Sequence, residues 1–250
     1  DNHSTLVGKG MSAEEIAARI RDLPGDFIQV SAFGNAAILP TYPSAVLPNP
    51  ELDGWDTLAV WKRACELAGK RFHIYLNTKA WKAAELKPEW RQLNAAGMPM
   101  FSGKGQHGAC ARPSADGAGL LEARLLPILR EVCETYRPGG LWIDGDHSRS
   151  LVCYCAHCKA AWKARTGKSE PPVSASDPDW PAWVDLEIER FDDTAVRWPK
   201  SPMPSIPTCS IAAITPSSGC TAPTTDAIPA RRRSLSITSR AISATAIRSI

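Results

Sequence analysis

Two apolar periods alternate along residues 1–198, one with the 3.6-residue spacing of helices and one short and extended. In Met11-Ser12-Ala13-Glu14-Glu15, Ser12 stands three residues before Glu15. That is the arrangement in which each side chain satisfies an amide of the other's turn, so a helix is predicted from Ser12 to about Asp22. After the Pro24-Gly25 break, Asp26 to Ser31 reads as a strand. Asp56 then caps a helix that carries Leu58, Trp61, Ala64, Cys65 and Ala68 on one stripe and closes at Gly69. Arg71–Asn77 is the next strand. A long loop region with short helical turns is expected from Lys79 to Pro113, followed by an amphipathic helix over Leu120–Tyr136. Pro138-Gly139 leads into the apolar run Leu141-Trp142-Ile143. Further helices are expected over about His157–Arg165 and Trp180–Trp198. Strands that alternate with helices imply a parallel sheet with right-handed crossovers, an α/β architecture. Three strands are legible, with room for one more at or before residue 1.

The pattern ends near Trp198-Pro199. Residues 199–250 contain no aromatic side chain and are dominated by Ser, Thr, Pro, Ala and Ile with scattered Arg. The chain is therefore expected to divide into a domain over 1–198 and a low-complexity basic tail over 199–250. Three readings of the tail stand. It is a disordered basic segment, a nucleic-acid-binding arm using Arg231–Arg233, or the out-of-frame translation of a G+C-rich gene. Its eight isoleucines speak against ordinary disorder and favour the third as a hypothesis. Reading the other two frames of the encoding DNA tests it, and finding no strand–helix pattern there sinks it. The lack of an initiator Met before Asp1 points to a fragment or a processed start.

Charge sharpens this division. Of the 29 basic residues six lie in the tail, and of the 26 acidic residues one does, leaving 23 basic and 25 acidic in 1–198. The net +3 thus comes from the tail alone, and no nucleic-acid partner is expected for the domain. With no run of about 18 apolar residues, no membrane-spanning helix is expected. Seven of the nine tryptophans fall between Trp81 and Trp198, a composition that suits the apolar faces of sugar rings as well as ordinary packing.

The densest chemistry is Gly139 to His147. Side chains alternate along a strand, so Trp142 and Asp144 share one face while Leu141 and Ile143 share the other. If the latter pair packs on helices, Asp144 ends the strand on the open face, where (β/α) barrels keep catalytic groups. The alternative is a strand entering an Asp-Gly turn, with Asp146 capping the next helix. Carboxylates two residues apart are poorly placed for the about 5–5.5 Å separation of a retaining glycosidase pair. Only Asp144 is therefore given a nucleophile's role, with Asp146 and His147 assigned to substrate binding. Trp142, Asn77, Gln29 and His3, read as lying at or near strand ends, are expected around the same mouth. For His3 a frayed terminus is the competing reading.

Cys153-Tyr154-Cys155-Ala156-His157-Cys158 has the ligand types and density of a structural zinc site. A loop disulfide and free thiols packing a helix start remain alternatives. No other cofactor is expected. Cys65, Cys110 and Cys133 read as small core residues. Gly103-Lys104-Gly105-Gln106-His107-Gly108 does not match a phosphate-binding loop; His107 and Arg112 sit in a loop of the correct phase to reach the mouth, with a solvated loop as the favoured reading.

The order of these segments carries a resemblance. Gly140-Leu141-Trp142-Ile143-Asp144-Gly145-Asp146 is followed by the cysteine segment, Thr166-Gly167, Pro171-Pro172 and Asp177-Pro178-Asp179-Trp180-Pro181-Ala182-Trp183. Lys87-Pro88-Glu89-Trp90-Arg91-Gln92 lies upstream. Together they resemble hypothetical TIM-barrel glycosyl hydrolases related to the alpha-L-fucosidases. The resemblance spans roughly residues 1–198. It implies a (β/α)8 fold present here as its N-terminal half, a carbohydrate substrate and a retaining double displacement. It also implies that Asp144, as the Asp of Trp-x-Asp ending the fourth strand, is the nucleophile. The chain departs from the family in a largely missing first strand and in the absence of any match beyond Trp198. The family's acid/base carboxylate has no counterpart here. A non-catalytic carbohydrate-binding module is the alternative.

Overall fold

The computed structural model describes residues 6–33, 39–77, 80–100, 105–110, 112, 117–144, 152–200, 210–213 and 242–243. Helix α1 (Ala13–Ile20) starts as its sequence dictates. Ser12 Oγ accepts from the Glu15 amide at 3.1 Å, and the Glu15 carboxylate accepts from the Ser12 amide at 2.7 Å. Strand β1 (Phe27–Phe33) runs two residues past the predicted end. Helix α2 (Thr57–Ala68) begins where the Asp56 carboxylate accepts from the Ala59 amide. It closes at Gly69, whose φ of 68° is the left-handed turn that glycine adopts without a Cβ penalty. Strand β2 spans Arg71–Asn77, as predicted.

The long loop region holds more order than its composition suggests. Strands β3 (Ala80–Lys82) and β4 (Gln106–Gly108) pair antiparallel, and the expected short turns appear at Ala83–Glu85 and Pro88–Trp90. Helix α3 (Leu126–Tyr136) is preceded by a wide π-type turn over Leu121–Leu125, closed by the Leu126 amide on the Leu121 carbonyl. Pro127 lacks an N–H and crowds the carbonyl four residues back, so a wider turn at this point relieves both problems. Strand β5 (Gly140–Asp144), helix α4 (Ala156–Thr166) and helix α5 (Trp180–Lys200) come next. The tail contributes two short segments, β6 (Ser210–Ala213) and β7 (Ile242–Ser243).

The main sheet has the order β6-β5-β2-β1-β7, with every neighbouring pair parallel. Helix α2 connects β1 to β2, and the segment that returns from β2 to β5 contains α3. The protein is thus α/β with a parallel sheet; among the described residues the strands form an open order, not a closed barrel. One sheet face carries Ile28, Val30, Ile74, Leu76, Leu141 and Ile143, all buried in a cluster with Leu58 and Trp61 of α2 and Ile128 and Val132 of α3. The opposite face, with Gln29, Ser31, His73, Tyr75, Asn77 and Trp142, is half-buried. This is the alternation predicted for Leu141, Trp142 and Ile143.

The connection from β1 to α2 is anchored from across the core. The Glu131 carboxylate on α3 accepts from Tyr42 Oη at 2.8 Å, Ser44 Oγ at 2.6 Å and the Ala45 amide at 2.7 Å. A second, smaller core gathers Cys110, Cys153, Cys155, Cys158, Trp162, Trp183 and Leu186 beneath α4 and α5. No described helix is long and apolar enough to cross a membrane.

Candidate functional site

Three rungs cross the half-buried face of the sheet. Gln29, His73 and Gly140 share the first, Ser31, Tyr75 and Trp142 the second, and Asn77 and Asp144 the third. Asp144 is therefore the last residue of β5, in register with the last residue of β2. Asn77 donates from Nδ2 to Tyr75 Oη at 3.2 Å, which fixes the amide against the neighbouring rung. Gln29 is not at a strand end: β1 continues to Phe33, and Gln29 sits two rungs below Asn77 and Asp144. At about 3.3 Å per residue that is on the order of 13 Å along the strands. His3, Asp146 and His147 lie outside the described residues.

His73 is legible in the sequence only as a strand residue, and its surroundings give it a role in packing. Its ring stacks on Phe27 with centroids 4.0 Å apart, and it covers Gly140 so closely that a Cβ there would lie 2.7 Å from the imidazole. Glycine at 140 is thus required by the ring above it. Burial, and secondarily the charge of Arg71, hold the His73 pKa down to about 4, so the imidazole is neutral near pH 7. Its Nε2 is buried without a hydrogen-bond partner among the described residues.

The second assembly is the cysteine cluster. Cys110 is more than the small core residue its sequence suggests: its sulfur joins those of Cys153, Cys155 and Cys158, all four within 4.8 Å of one another. None is in a disulfide, and none is more than 4% exposed. Backbone pairing brings them together. The Cys110 amide donates to the Trp90 carbonyl at 2.8 Å, the Gln92 amide to Gly108 at 2.8 Å, and the Tyr154 amide to Leu93 at 2.9 Å. The 90–93 segment is thereby clamped between the strand that ends at Cys110 and the loop that carries Cys153 and Cys155. Cys155 is the N-cap of α4 and Cys158 lies in its first turn, so both sulfurs sit at the positive end of the helix.

Charged side chains surround the sulfurs. Arg112 Nε donates to Cys158 Sγ at 3.2 Å and Arg190 Nη1 to Cys110 Sγ at 3.2 Å. Glu187 bridges the two arginines, bonded to Arg112 at 2.6 Å and ion-paired with Arg190 at 2.9 Å. Arg112 is only 8% exposed, so the solvated-loop reading of this residue is wrong; a buried carboxylate 75 residues away holds it inside. Hydrogen bonds from the other three cysteines and the nearby Arg190 push the Cys110 thiol towards the thiolate, whereas Cys153 and Cys155, bonded to that sulfur, are held protonated. His157, near in sequence, is not part of the cluster. Cys-x-Cys-x-x-Cys supplies three ligands and a tetrahedral site takes four, so the missing ligand is the one sequence signal pointing to a further cysteine.

No protein-family model matches the chain, and no curated protein does. Among solved structures the fold is similar to that of alpha-L-fucosidase isoenzyme 2 from Paenibacillus thiaminolyticus. The TM-score is 0.65 at 18% identity, over 86% of this chain and 31% of that one. The galactosidase domain of alpha-galactosidase-sucrose kinase, AgaSK, aligns over 83% of this chain and 24% of its own. Its TM-score of 0.45 and 13% identity are too low to bear on the fold. The chain has a glycosidase-like fold and spans less than a third of the fucosidase with which it aligns.

Proposed function

We propose that the protein is glycoside-hydrolase-like, acting on a carbohydrate by a retaining double displacement with Asp144 as the nucleophile. One observation carries the reading. In a fold similar to that of an alpha-L-fucosidase, β5 ends on Asp144 beside Asn77, at the C-terminal edge of a parallel sheet. That edge is where open and closed α/β folds assemble ligand sites. In the proposed reaction Asp144 attacks the anomeric carbon as the bond to the glycosidic oxygen breaks. The family's acid/base carboxylate has no counterpart here, so the leaving oxygen takes its proton from water, which an aryl leaving group permits. Water then cleaves the glycosyl ester. Asn77 and Trp142 are the described residues proposed to contact the sugar.

The test is Asp144→Asn assayed on aryl glycosides, an aryl α-L-fucoside first, with sugar binding followed by calorimetry. Hydrolysis by the parent chain, abolished in the variant while binding persists, supports the enzyme. Binding with no turnover in either chain supports a carbohydrate-binding module instead. Neither turnover nor binding by the parent chain overturns both.

A further inference from the structure

We infer that Cys110, Cys153, Cys155 and Cys158 form a closed, mononuclear zinc site whose charge is balanced by Arg112 and Arg190. Zinc bound by four thiolates at about 2.3 Å requires sulfurs about 3.8 Å apart on every edge of a tetrahedron. Cys110 and Cys158 are 3.6 Å apart, and no pair in the cluster exceeds 4.8 Å. That spacing admits one metal ion. A cluster with two or four irons would drive its cysteines further apart. The donors are all soft sulfur, the set that selects zinc among abundant divalent ions.

The surroundings fit a metal thiolate better than two disulfides or four thiols. A zinc tetrathiolate carries a formal charge of −2, which is costly to bury unless cations and hydrogen-bond donors meet the sulfurs. Two buried guanidinium groups donate to two different sulfurs, and Glu187 fixes both of them in place. Disulfides would need neither arginine, and Glu187, though paired with both, balances only one of the two buried positive charges. With four protein ligands and almost no exposure there is no open coordination position, so the site is structural, not hydrolytic. It fastens two separate pieces of chain: the residues just after β4, and the 153–158 segment that leads into α4. Through Arg190 and Glu187 it holds α5 as well. This inference is independent of the role of Asp144.

The test uses the full chain purified under reducing conditions with zinc present. About one zinc per chain by mass spectrometry is expected, with X-ray absorption showing sulfur-only coordination at about 2.3 Å. Cys110→Ser should lose most of that zinc and Cys133→Ser should keep it. Arg112→Gln should weaken zinc affinity about 10–100-fold, the usual effect of removing a group that orients a ligand. Should Cys110→Ser not fold, cobalt substitution of the parent chain decides, since four thiolates give intense charge-transfer bands. Absence of stoichiometric metal, oxygen or nitrogen in the coordination shell, an iron–sulfur spectrum, or full zinc retention by Cys110→Ser would overturn it.

Discussion

Around the sheet, Ile28, Val30, Ile74, Leu141 and Ile143 are buried among side chains that are almost entirely hydrocarbon. Beneath α4 and α5, four sulfurs, two guanidinium groups and a carboxylate are buried in a core of far fewer residues. The first region arises from apolar burial, which is non-directional and tolerates small shifts. The second depends on each charged group meeting a particular partner, because an unpaired buried charge costs several kcal/mol. A single chain thus contains one core that responds to volume and one that responds to charge balance.

The largest effect that separates them is expected from Glu187→Gln. With Cys110 as thiolate and the other three thiols neutral, Arg112, Arg190 and Glu187 bring the cluster to a net charge of 0; with zinc and four thiolates it is −1. Removing the carboxylate makes these +1 and 0. The substitution should therefore cost about 3–5 kcal/mol in the metal-free protein and distinctly less with zinc bound. Urea unfolding with and without zinc, followed by fluorescence, measures both; equal losses would break the contrast. Ile74→Ala comes next. It should cost about 2–5 kcal/mol whether or not zinc is present, because Ile74 is fully buried in hydrocarbon.

The smallest expected effect is the pH response of the sheet. The His73 pKa is depressed from 6.5 to about 4, so the folded state favours the neutral ring. Its contribution is intact above pH 6.5 and declines as the pH falls towards 4, since the unfolded chain takes up the proton first. His73→Phe is expected to flatten that part of the stability curve. An unchanged slope would show that the ring does not titrate with folding.

These regions also differ in how far the sequence reveals them. Helices α1 and α2 are legible because their caps, Ser12 with Glu15 and Asp56 with Gly69, sit within a turn of the residues they serve. Strands β2 and β5 are legible because alternation is local too. Cys110 and Arg112 mislead because their partners lie 48 and 75 residues away, brought together by backbone pairing that no local period encodes. The antiparallel pairing of β3 with β4 is hidden for the same reason, with Trp81 opposite His107. Of the proposed catalytic face, the register of Asn77 with Asp144 comes from strands that are visible in the sequence. Gln29 is displaced from its expected position because β1 runs further than its apolar run suggests.

Glu131 gives the order of synthesis a consequence. Its carboxylate satisfies the Tyr42 hydroxyl, the Ser44 hydroxyl and the Ala45 amide, and the last of these lies 86 residues earlier in the chain. At about 5–20 residues per second, a ribosome that has made Ala45 needs about 4–17 s to make its acceptor. Over that interval the three donors lack the acceptor that they share in the folded protein. The nascent N-terminal segment cannot take its final form as it emerges; it waits for a helix that is still to be translated.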